Sequence, residues 1–126
     1  MRELAARYGF PASTPGEAVQ AAVSSPSAES SAFLDDLAQR VAVGVASVCV
    51  VLDPGLVVLG GEVGRAGGTA LASRVAACVA AIFPARPRVV PTGVPDEPVL
   101  RGAMLAALDQ ARAALLASVA DPSRPQ

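Results

Sequence analysis

Between Ala28 and Leu52 apolar residues recur every three or four positions, at Phe33, Leu37, Val41, Val45, Val48 and Leu52. This is the period of an α-helix, and it predicts one long helix across the segment. In the first half Asp35, Asp36, Gln39 and Arg40 occupy the opposite face, so that half is amphipathic. The second half, VAVGVASVCVVL, is apolar all round and is expected to be buried on every side. Ser27 is placed to cap the start and Pro54 to end it. The β-branched residues make a strand a competitor over residues 43–51, but the unbroken 3.6-residue period favours the helix.

The same reading places the other elements. RELAARYGF predicts a short helix ending at Gly9, with Pro11 behind it. In STPGEAVQAAV, Thr14 is an N-cap, Pro15 suits the first helical position and Glu17 completes a capping box, giving a helix to about Val23. A polar spacer, residues 24–31, follows. Residues 56–59 are β-rich and lie between Gly55 and Gly60, which predicts a buried strand. After a glycine-rich loop, TALASRVAACVAAIF places Leu71, Val75, Cys78, Val79 and Ile82 on one helical face. Pro84 and Pro87 bracket its exit into a second short strand, residues 88–90. Asp96 or Glu97 is expected to cap a last helix carrying Leu100, Met104, Leu108, Leu115 and Val119, which frays into a disordered tail over residues 120–126.

Strand, helix, strand implies a parallel pair with a right-handed crossover. The expected fold is therefore α/β and helix-rich: two short parallel strands in a β-α-β unit covered by helices. Two parallel strands make a poor sheet, so residues 1–126 read as a single partial domain whose flanking strands are missing. An unpaired edge and an all-apolar helix together predict self-association.

Composition sharpens this picture in three ways. Aromatic residues are only 3% of the chain and Trp is absent, so Ala, Val and Leu must fill the core. Small side chains bury little area each, at about 25 cal/mol per Å², and the expected fold is marginally stable. Every basic residue is Arg, His is absent, and the net charge is −1, which leaves no basic stripe for nucleic acid. Cys49 and Cys78 sit in apolar runs without CxxC spacing; buried thiols are expected, and a zinc site is not. The opening residues carry Arg2, Glu3 and Arg7, unlike a secretory signal. The longest uncharged apolar run, residues 41–52, is 12 residues, below the roughly 18 that would span a bilayer. No membrane contact and a cytoplasmic location are expected.

The candidate chemistry lies in LDPGLVVLGGEVGRAGG, where five of the nine residues 60–68 are glycine. Beyond the carboxyl end of a parallel strand, such a turn either packs tightly or is kept bare for a ligand. It is neither GxGxxG nor a P-loop. This run, the later VLRGAMLAAL, and YGFPASTPGEAVQAA ahead of the long helix resemble the carboxyl-terminal segment of the ROK family of repressors, open reading frames and sugar kinases, over about residues 4–116. The resemblance implies an actin-like, ribonuclease-H-like fold of two lobes, with ATP and sugar in the cleft between them. It also implies that Gly60 and Gly61 line the nucleotide edge, with Glu62, Val63 and Gly67 behind them.

The family's DxGxT phosphate motif, its catalytic Asp, its sugar-binding Glu and His residues and its CxCGxxGC zinc cluster are not in this sequence. Accordingly no catalytic residue, no metal and no cofactor is expected for the chain itself. ATP belongs to the family, and sugar or nucleotide is expected only together with the missing lobe. Of the nearby carboxylates, Asp53 reads as a helix stop, Glu62 as solvated and Asp96 as a cap. The favoured expectation is the carboxyl-terminal sugar-sensing and oligomerisation segment of a repressor, of the NagC/XylR type, because the last helix continues as DQARAALLASVA. A segment of a sugar kinase and a free-standing interaction module without ligand are the alternatives.

Overall fold

The computed structural model describes the chain except for Pro11, Phe83, Ala85, Pro95, Asp96, residues 121–126 and the side chain of Ala120. The elements are α1 (Arg2–Arg7), α2 (Pro15–Ser24), α3 (Ala28–Leu52), β1 (Leu56–Leu59), α4 (Gly61–Ile82), β2 (Arg88–Pro91) and α5 (Pro98–Ala120). They divide into two compact units, Met1–Thr92 and Gly93–Gln126.

The capping residues act as their chemistry dictates. Thr14 Oγ1 accepts from the Glu17 N–H at 3.2 Å, and the Glu17 carboxylate accepts from the N–H groups of Ser13 and Thr14 at 3.0 and 3.2 Å. This capping box satisfies donors that the first helical turn leaves free. Ser27 Oγ accepts from the Ser30 N–H at 3.1 Å and opens α3, so the polar spacer shrinks to residues 25–27. At the other end Asp53 takes the left-handed conformation, φ 43° and ψ 55°, with its N–H donating to the Cys49 carbonyl at 2.9 Å. The helix thus stops on an αL cap, which aspartate tolerates better than most residues, one residue before Pro54.

In the first unit the core lies where α2, α3 and α4 meet, and α1 closes one end. Phe33 is fully buried, with the rings of Phe10 and Tyr8 at centroid distances of 5.3 and 6.1 Å. The Tyr8 hydroxyl donates to Asp36 at 3.4 Å, and Arg40 pairs with the same carboxylate at 2.8 Å. The hydrogen bond from Arg40 holds the Asp36 carboxyl below its ordinary range. Arg74 bonds Asp35 at 2.9 Å and ties α4 to α3 at the surface.

The long helix corrects the sequence reading in one respect. Phe33 and Leu37 are buried as expected, but beyond them the buried line runs through Ala38, Ala42, Ala46 and Cys49. Val48, Val51 and Leu52 are exposed instead, Val51 at 80%. Close approach of two helices favours the smallest side chains, so the alanine stripe faces the core and the bulkier valines turn outward. The valine-rich half of α3 is therefore not buried on every side.

β1 and β2 pair in parallel, from Leu56 opposite Arg88 to Leu59 opposite Pro91. The second strand runs one residue further than residues 88–90. Leu59 and Val89 pack toward the core beside α4. The alternate residues Leu56 and Val58 are about half exposed, at 51% and 53%. The sheet is thus covered on one face, and β1 is only half buried where a buried strand was expected.

The glycine-rich segment is the second correction. It is helical: α4 starts at Gly61 and is broken only at Gly68, whose φ of 49° and ψ of −145° lie outside helical space. Of the expected face, Leu71, Val75 and Val79 are buried, Cys78 is half-buried and Ile82 is exposed. Cys49 is a buried free thiol.

In the second unit α5 is one helix through Ala120, so a tail starting at 120 is overtaken by one residue. Residues 121–126 lie outside the described residues, as does Asp96 as a cap. Glu97, with φ 56°, directly precedes Pro98.

Candidate functional site

The carboxyl end of β1 delivers the chain to Gly60, and Gly61 turns it into α4 with φ +69°. The first helical hydrogen bond runs from the Gly64 N–H to the Gly60 carbonyl at 3.3 Å. Ahead of that bond the N–H groups of Gly61, Glu62 and Val63 have no partner within the helix, as at any helix start. They carry the positive end of the helix dipole. Four of the five expected residues, Gly60 to Val63, are therefore brought together at one strand-to-helix corner.

They differ in what they do there. Gly60 has ordinary dihedrals, and a Cβ placed on it would meet open space. Gly61 also has room but sits in the left-handed region. Glu62 is exposed; a Cβ built on Gly16 would lie 3.2 Å from the Glu62 Cβ and 3.4 Å from its Oε2. Its carboxylate therefore rests beside the first turn of α2, where the positive end of that helix favours it. Val63 is half-buried against the core. Gly67 stands apart from the corner: it is buried, and a Cβ there would lie 2.5 Å from the Cβ of Leu71, whose side chain folds over it. It is a packing position.

Gly64 and Gly16 were missed by the sequence reading. Gly64 is buried with its Cα against the Leu59 carbonyl, close enough that a Cβ would overlap the strand's backbone. The signal was available in the spacing of Gly60 and Gly64, four apart, which makes a small-residue face once the segment is read as a helix. The glycines thus divide by position. Gly64 and Gly67 let α4 pack, while Gly60 and Gly61 leave the main chain bare at the strand's end.

The chemistry that this corner can perform is recognition. Its main-chain donors suit an anion or a carbonyl, and Val57, Val58, Leu59, Val63 and Leu71 line an apolar groove beside it. The backbone of Asp53 ends α3, and its side chain is exposed. Among the described residues no group of three or more His, Cys, Asp or Glu side chains gathers to hold a metal, and no helix is long and apolar enough to cross a membrane.

Glycine at position 61 is expected to matter more than at position 60. A left-handed φ costs a residue with a Cβ about 1–2 kcal/mol, so Gly61→Ala should lower stability by about 1 kcal/mol more than Gly60→Ala or Gly55→Ala. Urea unfolding of the three variants checks this, and equal midpoints would mean that the corner tolerates any backbone.

The family model of the ROK family matches residues 6–110. No curated protein and no solved structure matches the chain.

Proposed function

The chain belongs to the ROK family, and from that premise we propose that it is the carboxyl-terminal, sugar-responding part of a transcriptional repressor of the family, without catalytic residues of its own. The family's fold is that of the actin-like ATPases, and the β1–α4–β2 unit is compatible with part of one such lobe. The observation that carries the reading is the pairing of a bare Gly60–Gly61 corner with a sequence that holds no His, no DxGxT and no zinc cluster. Such a chain can line a cleft, while the family's phosphate and sugar motifs, which phosphoryl transfer to a sugar requires, are not in its sequence. In this reading Gly60, Gly61, Glu62 and Val63 form the nucleotide-side edge of the cleft. The sugar reaches it only when a second lobe closes the site.

The repressor is preferred to the kinase because α5 runs to Ala120, well past the end of the family match at residue 110. A segment of a sugar kinase is the second reading, because the same Gly60–Gly61 corner would serve a kinase whose catalytic residues lie elsewhere in the protein. The reading frame upstream of Met1 separates them: a DNA-binding helix-turn-helix in frame supports the repressor, and a DxGxT segment without one supports the kinase. At the bench, the 126-residue chain incubated with hexoses and labelled ATP is expected to phosphorylate none above a protein-free blank. Transfer that is lost in Asp53→Asn or Glu62→Gln would place a catalytic carboxylate at this corner and defeat the proposal.

A further inference from the structure

The first two turns of α4, residues 61–67, lie between two glycines with positive φ, Gly61 at 69° and Gly68 at 49°. At Gly68 a ψ of −145° takes the chain out of helical space altogether. That combination is open to glycine and all but closed to a residue with a Cβ. No neighbour demands a small residue there, since a Cβ on Gly68 would meet nothing within 4 Å. Glycine at 68 therefore serves the backbone rather than the packing, and the ordinary helical dihedrals are equally open to it.

The two parts of α4 are held unequally. Beyond the break Leu71, Ala72, Val75 and Val79 are buried, and Arg74 is fastened to Asp35 of α3 at 2.9 Å. Before it, Gly61, Gly64 and Gly67 make up three of the seven residues 61–67, each lowering helix propensity by about 1 kcal/mol relative to alanine. The bond that opens the helix, from the Gly64 N–H to the Gly60 carbonyl, is long at 3.3 Å. Segments with few buried side chains and weak main-chain bonds are the ones that open locally. Two contacts seat this part. Gly64 lies against the Leu59 carbonyl, and Glu62 lies against Gly16 of α2, where an added Cβ would stand 3.2 Å from the Glu62 Cβ.

We propose that residues 61–67 form a lever that pivots between Gly61 and Gly68, and that it passes events at the Gly60–Val63 corner to α2 through Glu62. The free main-chain donors of the corner belong to the lever, so a ligand that engages them favours one angle of it over another. The remainder of α4 stays on α3 as the anchor. What moves the lever rests on the proposed role of the corner. The pivot itself belongs to the ligand-free chain, so a rigid α4 would defeat this inference and leave that role standing.

Amide hydrogen exchange of the whole chain without ligand, followed residue by residue by NMR, tests it. The amides of residues 64–67 are expected to exchange as a set, with protection factors at least tenfold below those of residues 72–79, and the step is expected to fall at Gly68. Gly68→Ala disfavours the broken conformation and should bring the two sets within threefold of each other. Gly16→Ala presses on Glu62 and should change protection at residues 64–67 at least threefold while leaving residues 72–79 as they are. If Gly68→Ala loses its helical circular dichroism, the parent profile and Gly16→Ala decide. A parent profile that is uniform along α4 or declines smoothly toward Gly61 would overturn the proposal. So would a folded Gly68→Ala chain that keeps the step, or a Gly16→Ala chain in which both sets change alike or neither changes.

Discussion

Gly64→Ala is expected to lower the stability of the chain by about 2–3 kcal/mol, the upper part of the roughly 1–3 kcal/mol that forcing an extra carbon into a packed interior costs, whereas Gly60→Ala should change it by no more than about 0.5 kcal/mol. The two glycines are four residues apart in one turn, and pattern alone ranks them equally. At position 64 a new Cβ falls on the carbonyl carbon and oxygen of Leu59. This obstacle is backbone held by its ladder, since that same carbonyl accepts from the Thr92 N–H at 2.9 Å. It cannot swing aside like a side chain. Either α4 lifts from the end of β1 or the last rung of the ladder breaks. At position 60 the same atom meets nothing within 4 Å. Urea unfolding followed by circular dichroism gives both numbers, and equal midpoints would remove Gly64 as the point of contact between helix and strand.

The elements that could be read from the sequence are those whose chemistry is local. Thr14, Pro15 and Glu17 specify a helix start from three neighbouring side chains, and the capping box forms as written. Ser27 does the same for α3, and the β-rich residues 56–59 bounded by glycines become β1. What could not be read depends on partners distant in sequence. Whether Ala42 and Ala46 or Val41 and Val45 face the core is decided by how closely α4 approaches, and a hydrophobic period 3.6 residues long admits both stripes. The glycine run misled for a related reason. Glycine lowers helix propensity by about 1 kcal/mol relative to alanine, so five in nine residues argue for a loop until the packing of α4 on β1 is known. Packing outweighs propensity at Gly64 and Gly67, and propensity shows through at Gly68, where the helix breaks. The corner residues Gly60 to Val63 were legible because the end of a strand fixes their place. Gly67 was not, since six residues further along a helix is a different side of it.

Phe33→Ala is expected to be the most damaging single truncation in the first unit, costing about 3–5 kcal/mol. The chain has three Phe, one Tyr and no Trp, and Phe33 is the aromatic side chain that Phe10 and Tyr8 both pack against. Its neighbours in the core are largely alanine and valine. Such small residues have few rotamers with which to refill the space, so the cavity should stay nearly full size and the cost should sit at the upper end. The lost ring also frees Tyr8, whose hydroxyl bonds Asp36, and so loosens the contact that seats the segment after α1 on α3. A whole domain is stable by only about 5–15 kcal/mol, and a core of small side chains belongs at the low end of that range. Phe33→Ala should therefore abolish cooperative thermal unfolding near room temperature. Phe33→Leu, which keeps most of the volume, should lower the midpoint and preserve the transition. Val51→Ala, at a side chain 80% exposed, serves as the control and should unfold like the parent. A Phe33→Ala chain that melts within a few degrees of that control would mean that the aromatic cluster is not what holds α1, α2 and α3 together.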